Sequence, residues 1–221
     1  MSTTPVSQRT DTTAIAENMT ILNEIDAGRA RLYALLAGLL ANPPSDTLLQ
    51  QLGQLVSEPL QNDPDLQHNT ASLPHALQAL QQCAQQRCAD LVADEYQNLF
   101  IGLGKGEIVP YRSWYVTGML MDKPLALLRE DLARLGLARH EDTYESEDHA
   151  AALCEVMNLL IIHADEYTFE TQKQFFINHL SWLHKFFHDM QHAPSAQFYK
   201  QVGLLGKCFI QIEQQAFAML R

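Results

Sequence analysis

Apolar residues recur along most of the chain at the three- and four-residue spacing of an α-helix. In the first such stretch, one helical face carries Ile21, Ile25, Leu32, Leu35, Leu36 and Leu39. The prolines at 43 and 44 end this helix, because proline supplies no backbone donor and disfavours helical geometry in the residue before it. Ser45 then caps a second helix.

The same spacing continues to the end of the chain, with no alternating β pattern and no repeat. Further helices are predicted over 46–58, 73–100, 122–136, 147–165, 168–190 and 195–219, with a loop at 63–72. The helix at 122–136 has Pro124 in its first turn and ends at Gly136. We therefore expect an all-α, single-domain helical bundle, with residues 1–20 as a flexible polar tail and 21–221 as the helical domain.

Composition narrows the classes of partner. The formal net charge is −11, which argues against nucleic acid, and hydrophobic residues make up 47% of the chain. A negative surface attracts cationic partners, although it also serves solubility alone. No run of 18 apolar residues occurs, so no membrane span is expected.

The first twenty residues lack the basic start and apolar centre of a secretory signal, so we expect a cytoplasmic location. The cysteines at 83, 88, 154 and 208 form no C-x-x-C motif. We expect them to be buried apolar thiols rather than a disulfide framework or a zinc site.

The helical spacing of apolar residues is interrupted at "GLGKG", residues 102–106, which is followed by Tyr111, Trp114 and Tyr115. Glycine-rich loops bind phosphate when they follow a strand and open a helix. These glycines follow a helix, and Pro110 lies ahead of them. A helix end with a flexible loop is therefore the better interpretation.

Three histidines, at 184, 188 and 192, recur every fourth residue on one predicted helix. Such spacing can chelate a metal, but no glutamate stands in a general-base position. Histidine near a helix C-terminus is also favoured by the dipole. The metal interpretation and the glycine loop together define an alternative hypothesis, a helical metal- or nucleotide-binding enzyme.

Acidic residues cluster in "YESEDHAA", residues 144–151. If Ser146 is an N-cap, Glu147 and Asp148 lie in the positive first turn, where they compensate the dipole. The same side chains could instead form an accessible acidic mouth with His149, extended upstream by Glu141, Asp142 and Glu145. Carboxylates of this kind suit arginine, whose planar fork can bond two oxygens. The pattern alone leaves both interpretations open.

Several segments, in this order, resemble the motifs of the TorD/DmsD/NarJ family, which are chaperones for maturing molybdopterin oxidoreductases. The matching segments are "EYQNLFIG", "PYRSWY", "LARLGL", "ESEDHAAALCEVM" and, later, "NHLSWLHKFF" with "FYKQVG". Each motif is weak alone, and their order and spacing make the match specific. Tyr96 and Tyr111 depart from it, since tryptophan is frequent there in the leader-binding branch.

The resemblance implies a cytoplasmic helical chaperone, a monomer or homodimer, that is not an enzyme and needs no cofactor. Its partner would be the precursor of a molybdenum-containing oxidoreductase, recognised through its twin-arginine signal peptide, its apoenzyme body or both. The client could be of the formate-dehydrogenase or the DMSO/TMAO-reductase type. Binding would hold the precursor until its cofactor is inserted, before export.

A twin-arginine leader joins a cationic segment to an apolar one, so its receptor needs carboxylates beside large amphipathic rings. The predicted peptide-binding residues are Tyr96, Phe100, Pro110, Tyr111, Ser113, Trp114, Tyr115, Asp148 and His149. Phe100 and Tyr96 could equally belong to the core, and Pro110 and Ser113 could simply shape the loop. A protonated His149 would make peptide release depend on pH.

Overall fold

The structure is a computed structural model that describes residues 8–55, 72–102, 105–138 and 145–219, with side chains described from residue 24 onward. The described residues contain helices and no strand. One isolated antiparallel bridge joins Tyr111 to His149. The expected all-α class is confirmed.

The part of the chain that the structure describes contains ten α-helices. They are α1 (Gln8–Ala41), α2 (Asp46–Gly53), α3 (Leu73–Gln85), α4 (Ala89–Tyr96), α5 (Arg112–Thr117), α6 (Lys123–Arg134), α7 (Ala150–Ile162), α8 (Phe169–Phe175), α9 (Leu183–His192) and α10 (Phe198–Met219). Two π-helical turns, Gln97–Ile101 and Phe176–Leu180, directly extend α4 and α8.

Several predicted boundaries differ from the observed ones. The single helix expected over 73–100 is broken at 86–88, and the Asp46 carboxylate accepts a hydrogen bond from the Ala89 N–H at 2.9 Å. A side chain from α2 thus caps the restart of the helix, which local periodicity cannot reveal. The short helix α5 was expected to be loop.

The predicted tail, 1–20, overlaps the first helix, which begins at Gln8. Residues 1–7 lie outside the described residues, as does most of the predicted loop at 63–72. The division into a tail and a domain from residue 21 stays a prediction.

The core forms where α1 packs on α7 and where α10 packs on α9 and α3. Its largest fully buried side chains include Tyr33, Tyr199, Phe186 and Phe187. A Cβ on Gly206 would lie 2.4 Å from the Phe187 ring, so only glycine lets α10 approach α9 this closely. Cys154 and Cys208 are buried thiols, as expected, whereas Cys88 is exposed.

A buried charged network joins both ends of the chain. The Arg29 guanidinium donates to both carboxylate oxygens of Glu213, at 2.8 and 3.0 Å, and Tyr33 donates to the same carboxylate at 3.0 Å. Arg29 also donates to Gln172 of α8 at 3.1 Å. The network fixes α1 against α8 and α10, because each buried charge keeps its partner.

Two neighbouring residues of α4 bind the ends of two other helices. The Glu95 carboxylate accepts from the N–H groups of Gln197, Phe198 and Tyr199, at 2.8, 3.0 and 2.7 Å, where α10 begins. The Tyr96 hydroxyl donates to the carbonyls of Leu40 and Ala41 at the end of α1. Helix ends leave such groups without partners, so α4 satisfies both.

None of the helices in these described ranges combines the length and the apolar character needed to cross a bilayer.

Replacing Glu95 with glutamine should destabilise the protein by about 2 kcal/mol, because a neutral amide offers one acceptor oxygen to three N–H groups. Urea unfolding followed by circular dichroism measures this loss. Asp94→Asn is the matched control, since Asp94 is exposed on the same helix and loses the same charge. Equal midpoints for the two variants would contradict the capping role.

Candidate functional site

The two segments singled out by the sequence, 110–115 and 145–150, lie side by side. The Arg112 N–H donates to the Asp148 carbonyl at 2.9 Å, and the Ala150 N–H donates to the Pro110 carbonyl at 2.8 Å. The rings of Tyr111 and His149 meet edge to face with centroids 5.1 Å apart. The structure therefore brings these two motifs together, and α5 begins beside α7.

Asp148 is buried, with 1% of its surface exposed. Its carboxylate accepts from the N–H and the hydroxyl of Ser113 and, at 2.8 Å, from the hydroxyl of Ser146. Asp148 therefore caps α5 from another part of the chain. The expectation of an accessible carboxylate is wrong here. Ser113, in the first turn of α5, donates to Oδ2, and Ser146 donates to Oδ1, so both oxygens have partners within the protein.

His149 is also buried, at 6% exposure, and it is the N-cap of α7 in place of the predicted Ser146. Its Nδ1 accepts from the Ala151 N–H at 3.1 Å, which requires the neutral ring with its proton on Nε2. Burial lowers the pKa of His149, outweighing the opposing charges of Glu145 and Asp148. The expected accessible, protonated histidine is therefore wrong for the free protein.

The two described neighbouring acids, Glu145 and Glu147, are engaged in local contacts, whereas Glu141 and Asp142 lie outside the described residues. The Tyr111 hydroxyl donates to the Glu145 carboxylate, and burial together with that contact raises the pKa of Tyr111. Glu147 accepts two hydrogen bonds from Arg129 of α6, at 3.1 and 2.8 Å. Glu147 thus binds a side chain rather than only the helix dipole, and α6 is tied to the start of α7.

Arg112 is a structural residue that sequence reasoning missed. Its guanidinium is buried and donates to the carbonyls of Pro124 at 2.5 Å and Asn178 at 2.8 Å. Burial lowers the pKa of Arg112, while Asp148 and Asp131 oppose that shift. A single arginine inside an aromatic segment was the signal that could have marked it.

Three predicted peptide contacts face the interior. Tyr96 is 8% exposed with its hydroxyl occupied by α1, and Pro110 is buried. Phe100 is half-buried and packs on Tyr96 and Tyr199, with centroids 4.9 and 5.3 Å apart. The core interpretation that the sequence left open for Tyr96 and Phe100 is the one observed.

Trp114 and Tyr115 line an open cavity of about 240 Å³ between α5, the end of α9 and the loop after the glycines. The Tyr115 hydroxyl donates to Asp189 at 2.9 Å, and its ring packs on Trp182. The Lys105 ammonium lies 4.1 Å from the centre of the Trp114 ring. Sequence analysis missed both Lys105, which lies in the glycine-rich segment just before α5, and Asp189, which is 74 residues from Tyr115 along the chain.

Beyond α5 the chain exposes an apolar run. Val116, Met119, Leu120 and Met121 are all more than half exposed, and Met121 reaches 80%. Met121 has φ +56°, a left-handed conformation that is rare for residues other than glycine. The aromatic cavity and this apolar run, residues 116–121, therefore flank the same short helix.

The two described glycines of the glycine-rich segment, Gly102 and Gly106, have roles in the backbone. Gly102 has φ +61° and its N–H donates to the Gln97 carbonyl at 2.7 Å. A Cβ on Gly106 would lie 2.5 Å from the Leu99 carbonyl oxygen. These glycines are needed for the chain to fold back on the π-helical turn.

The histidine ladder does not converge on a metal. The Nδ1 atoms of His184 and His192 lie 2.6 and 2.7 Å from backbone carbonyl oxygens. Among the described residues no group of three or more His, Cys, Asp and Glu side chains could hold a metal ion.

A larger cavity of about 440 Å³ lies between α6 and α8 and contains none of the predicted residues. Asp131, on its wall, bonds Arg134 at 2.5 Å and His179 at 2.7 Å.

Comparison with known proteins gives concordant results. Residues 66–188 match the family model described as nitrate reductase delta subunit. The chain is 33% identical over 204 residues to the chaperone protein TorD of Psychrobacter sp. (strain PRwf-1), covering 86% of this chain and 92% of the relative. It is 31% identical over 140 residues to TorD of Vibrio atlanticus (strain LGP32), covering 58% and 65%.

The fold is similar to the crystal structure of a putative redox enzyme maturation protein from Archaeoglobus fulgidus, with a TM-score of 0.52. That match covers 84% of this chain and 93% of the other at 16% identity, so it concerns the fold alone. The sequence matches identify the function class: the chain belongs to the TorD/DmsD/NarJ family of chaperones for redox enzyme maturation.

Proposed function

We propose that this chaperone binds the twin-arginine signal peptide of a molybdopterin oxidoreductase precursor, with or without contacts to the apoenzyme. It acts in the cytoplasm and holds the precursor until the cofactor is inserted. The client is of the formate-dehydrogenase or the DMSO/TMAO-reductase type. Binding alone performs this role, so the protein is not an enzyme.

The observation that carries the proposal is the surroundings of α5. The middle of this helix presents Trp114 and Tyr115 to a cavity that includes the Asp189 carboxylate, and its C-terminal end leads into the apolar run. A leader peptide has the same two parts, a cationic segment and an apolar one. Methionine side chains adapt to varied apolar partners, which suits a receptor for such segments.

The buried motif residues support this site by positioning it. Asp148 caps α5, Arg112 ties α5 to α6, and His149 begins α7 beside Tyr111. We propose that Asp148 and His149 hold the peptide-binding surface in place, whereas the accessible contacts come from Tyr111, Trp114, Tyr115 and the apolar run.

The double variant Met119→Ser, Leu120→Ser should weaken binding of a synthetic twin-arginine leader peptide about tenfold, because burial of these side chains on binding is lost. Fluorescence anisotropy of the labelled peptide measures the dissociation constant. Ile212→Ser is the control, since Ile212 is exposed on α10.

In the same assay, a leader with serines in place of its apolar segment should bind the wild-type chain as weakly as the intact leader binds the double variant. A wild-type chain that binds no leader at any salt concentration contradicts the proposed function. Unchanged affinity in the double variant contradicts only the role of the apolar run.

Stability should fall as the pH drops from about 7 to 5. Burial lowers the pKa of both His149 and His179 in the folded chain, while unfolded histidines titrate near about 6.5. The unfolded state therefore takes up protons first, and folding loses up to about 1.4 kcal/mol per pH unit for each histidine.

Urea unfolding at several pH values tests this, with His149→Asn keeping an N-cap acceptor without a titrating ring. The free energy of unfolding of His149→Asn should decrease less steeply with falling pH than that of the wild type. His163→Asn, at an exposed position, should have the same pH dependence as the wild type. Parallel curves for His149→Asn and the wild type would show that His149 does not titrate with unfolding.

A further inference from the structure

The Trp114 cavity already holds a cation from the protein's own chain. The Lys105 ammonium lies 4.1 Å from the ring centre, within the range of a cation–π interaction. Lys105 belongs to the glycine-rich segment before α5, whereas Trp114 lies on α5 itself. The exposed face of the tryptophan therefore attracts a positive side chain that other cations could replace.

Carboxylates border the same cavity. The side chain of Asp189 is 54% exposed, and its Oδ2 accepts from the Tyr115 hydroxyl. Glu107 accepts from the N–H and hydroxyl of Ser195 at 3.1 and 2.6 Å. In the described parts of the chain neither carboxylate lies within 4.0 Å of a lysine or arginine nitrogen. Asp189 has the His188 Nδ1 atom 3.6 Å from its Oδ1, so a histidine is its nearest basic neighbour.

Asp189 is held in place rather than free to turn. Tyr115, which fixes its Oδ2, packs on Trp182 and Phe186 of the core, with centroids 4.9 and 6.0 Å apart. Burial raises the pKa of Tyr115, and so does the Asp189 charge, so the hydroxyl stays a donor to this carboxylate. An oriented carboxylate beside an aromatic face binds a planar guanidinium better than a rotating ammonium.

The volume of the Trp114 cavity limits the size of the group that it can bind. At about 240 Å³ the cavity is smaller than a typical small-molecule site, which starts near about 300 Å³. It also opens to solvent on the surface that carries α5. One long side chain of a bound polypeptide is a better match than an independent ligand.

Building on the proposed function, we infer that this cavity is the subsite for one arginine of the leader peptide. The guanidinium stacks on Trp114 and pairs with Asp189, and Lys105 occupies the ring face only while no peptide is bound. Lys105 is thus an internal competitor, which weakens peptide binding and favours release.

The experiment uses the full chain and two synthetic leaders, one with paired arginines and one with both arginines replaced by citrulline, their neutral isostere. Wild-type chain should bind the arginine leader about tenfold or more tightly than the citrulline leader, as a charge-assisted pair implies. In Asp189→Asn this ratio should fall below about threefold. Asp165→Asn, an exposed acid elsewhere, should keep the wild-type ratio.

Lys105→Met should bind the arginine leader about two- to fivefold more tightly than the wild type does, because the internal cation no longer competes for Trp114. Lys200→Met controls for the change in net charge, since Lys200 is exposed on α10 and does not line the cavity. The citrulline leader should bind Lys105→Met and Lys200→Met equally.

The outcomes separate the two proposals. A wild-type chain that binds both leaders equally, or an arginine-to-citrulline ratio that Asp189→Asn leaves unchanged, overturns the arginine subsite and leaves leader binding intact. Equal effects of Lys105→Met and Lys200→Met overturn the competition by Lys105. A chain that binds neither leader contradicts the proposed function itself, and the subsite with it.

Discussion

The bundle depends on the pair Glu95 and Tyr96, which binds two helix ends of opposite polarity. A helix N-terminus has free N–H groups and partial positive charge, and a C-terminus has free carbonyls and partial negative charge. Glu95 supplies a carboxylate to α10, and Tyr96 supplies a hydroxyl donor to α1. Tyr199, at that same start of α10, donates to the Leu39 carbonyl, so α1, α4 and α10 meet at one junction.

The candidate site repeats this arrangement on a smaller scale. Asp148 supplies a carboxylate to the first turn of α5, and the guanidinium of Arg112, in that same turn, binds carbonyls of two neighbouring segments. A helix of six residues is too short to be stable alone. Its position, and hence the direction of Trp114 and Tyr115, is therefore set by contacts from distant parts of the chain.

The helical class could be predicted from the sequence, because the spacing of apolar residues along the chain depends directly on helix geometry. The sequence did not predict which acids are accessible. Asp148 looks like any carboxylate at a helix start, and two of its three hydrogen-bond donors come from Ser113, 35 residues away in the chain. Asp189, in a histidine-rich helix, could not be identified from the sequence for a similar reason, because its hydrogen-bond partner Tyr115 lies 74 residues away in the chain.

The distribution of charge explains why the net charge of −11 is a poor guide to the site. Glu95, Asp148 and Glu213 are buried carboxylates that serve helix ends and the interior network, so they contribute little to recognition at the surface. Asp189 differs because a neutral hydroxyl orients it and its half-exposed charge lies near the His188 imidazole, at 3.6 Å, with no lysine or arginine nitrogen of the described residues within 4.0 Å. For a chaperone that must release its client, one oriented carboxylate beside an aromatic face is better suited than a cluster, since each additional charge-assisted pair would multiply the residence time.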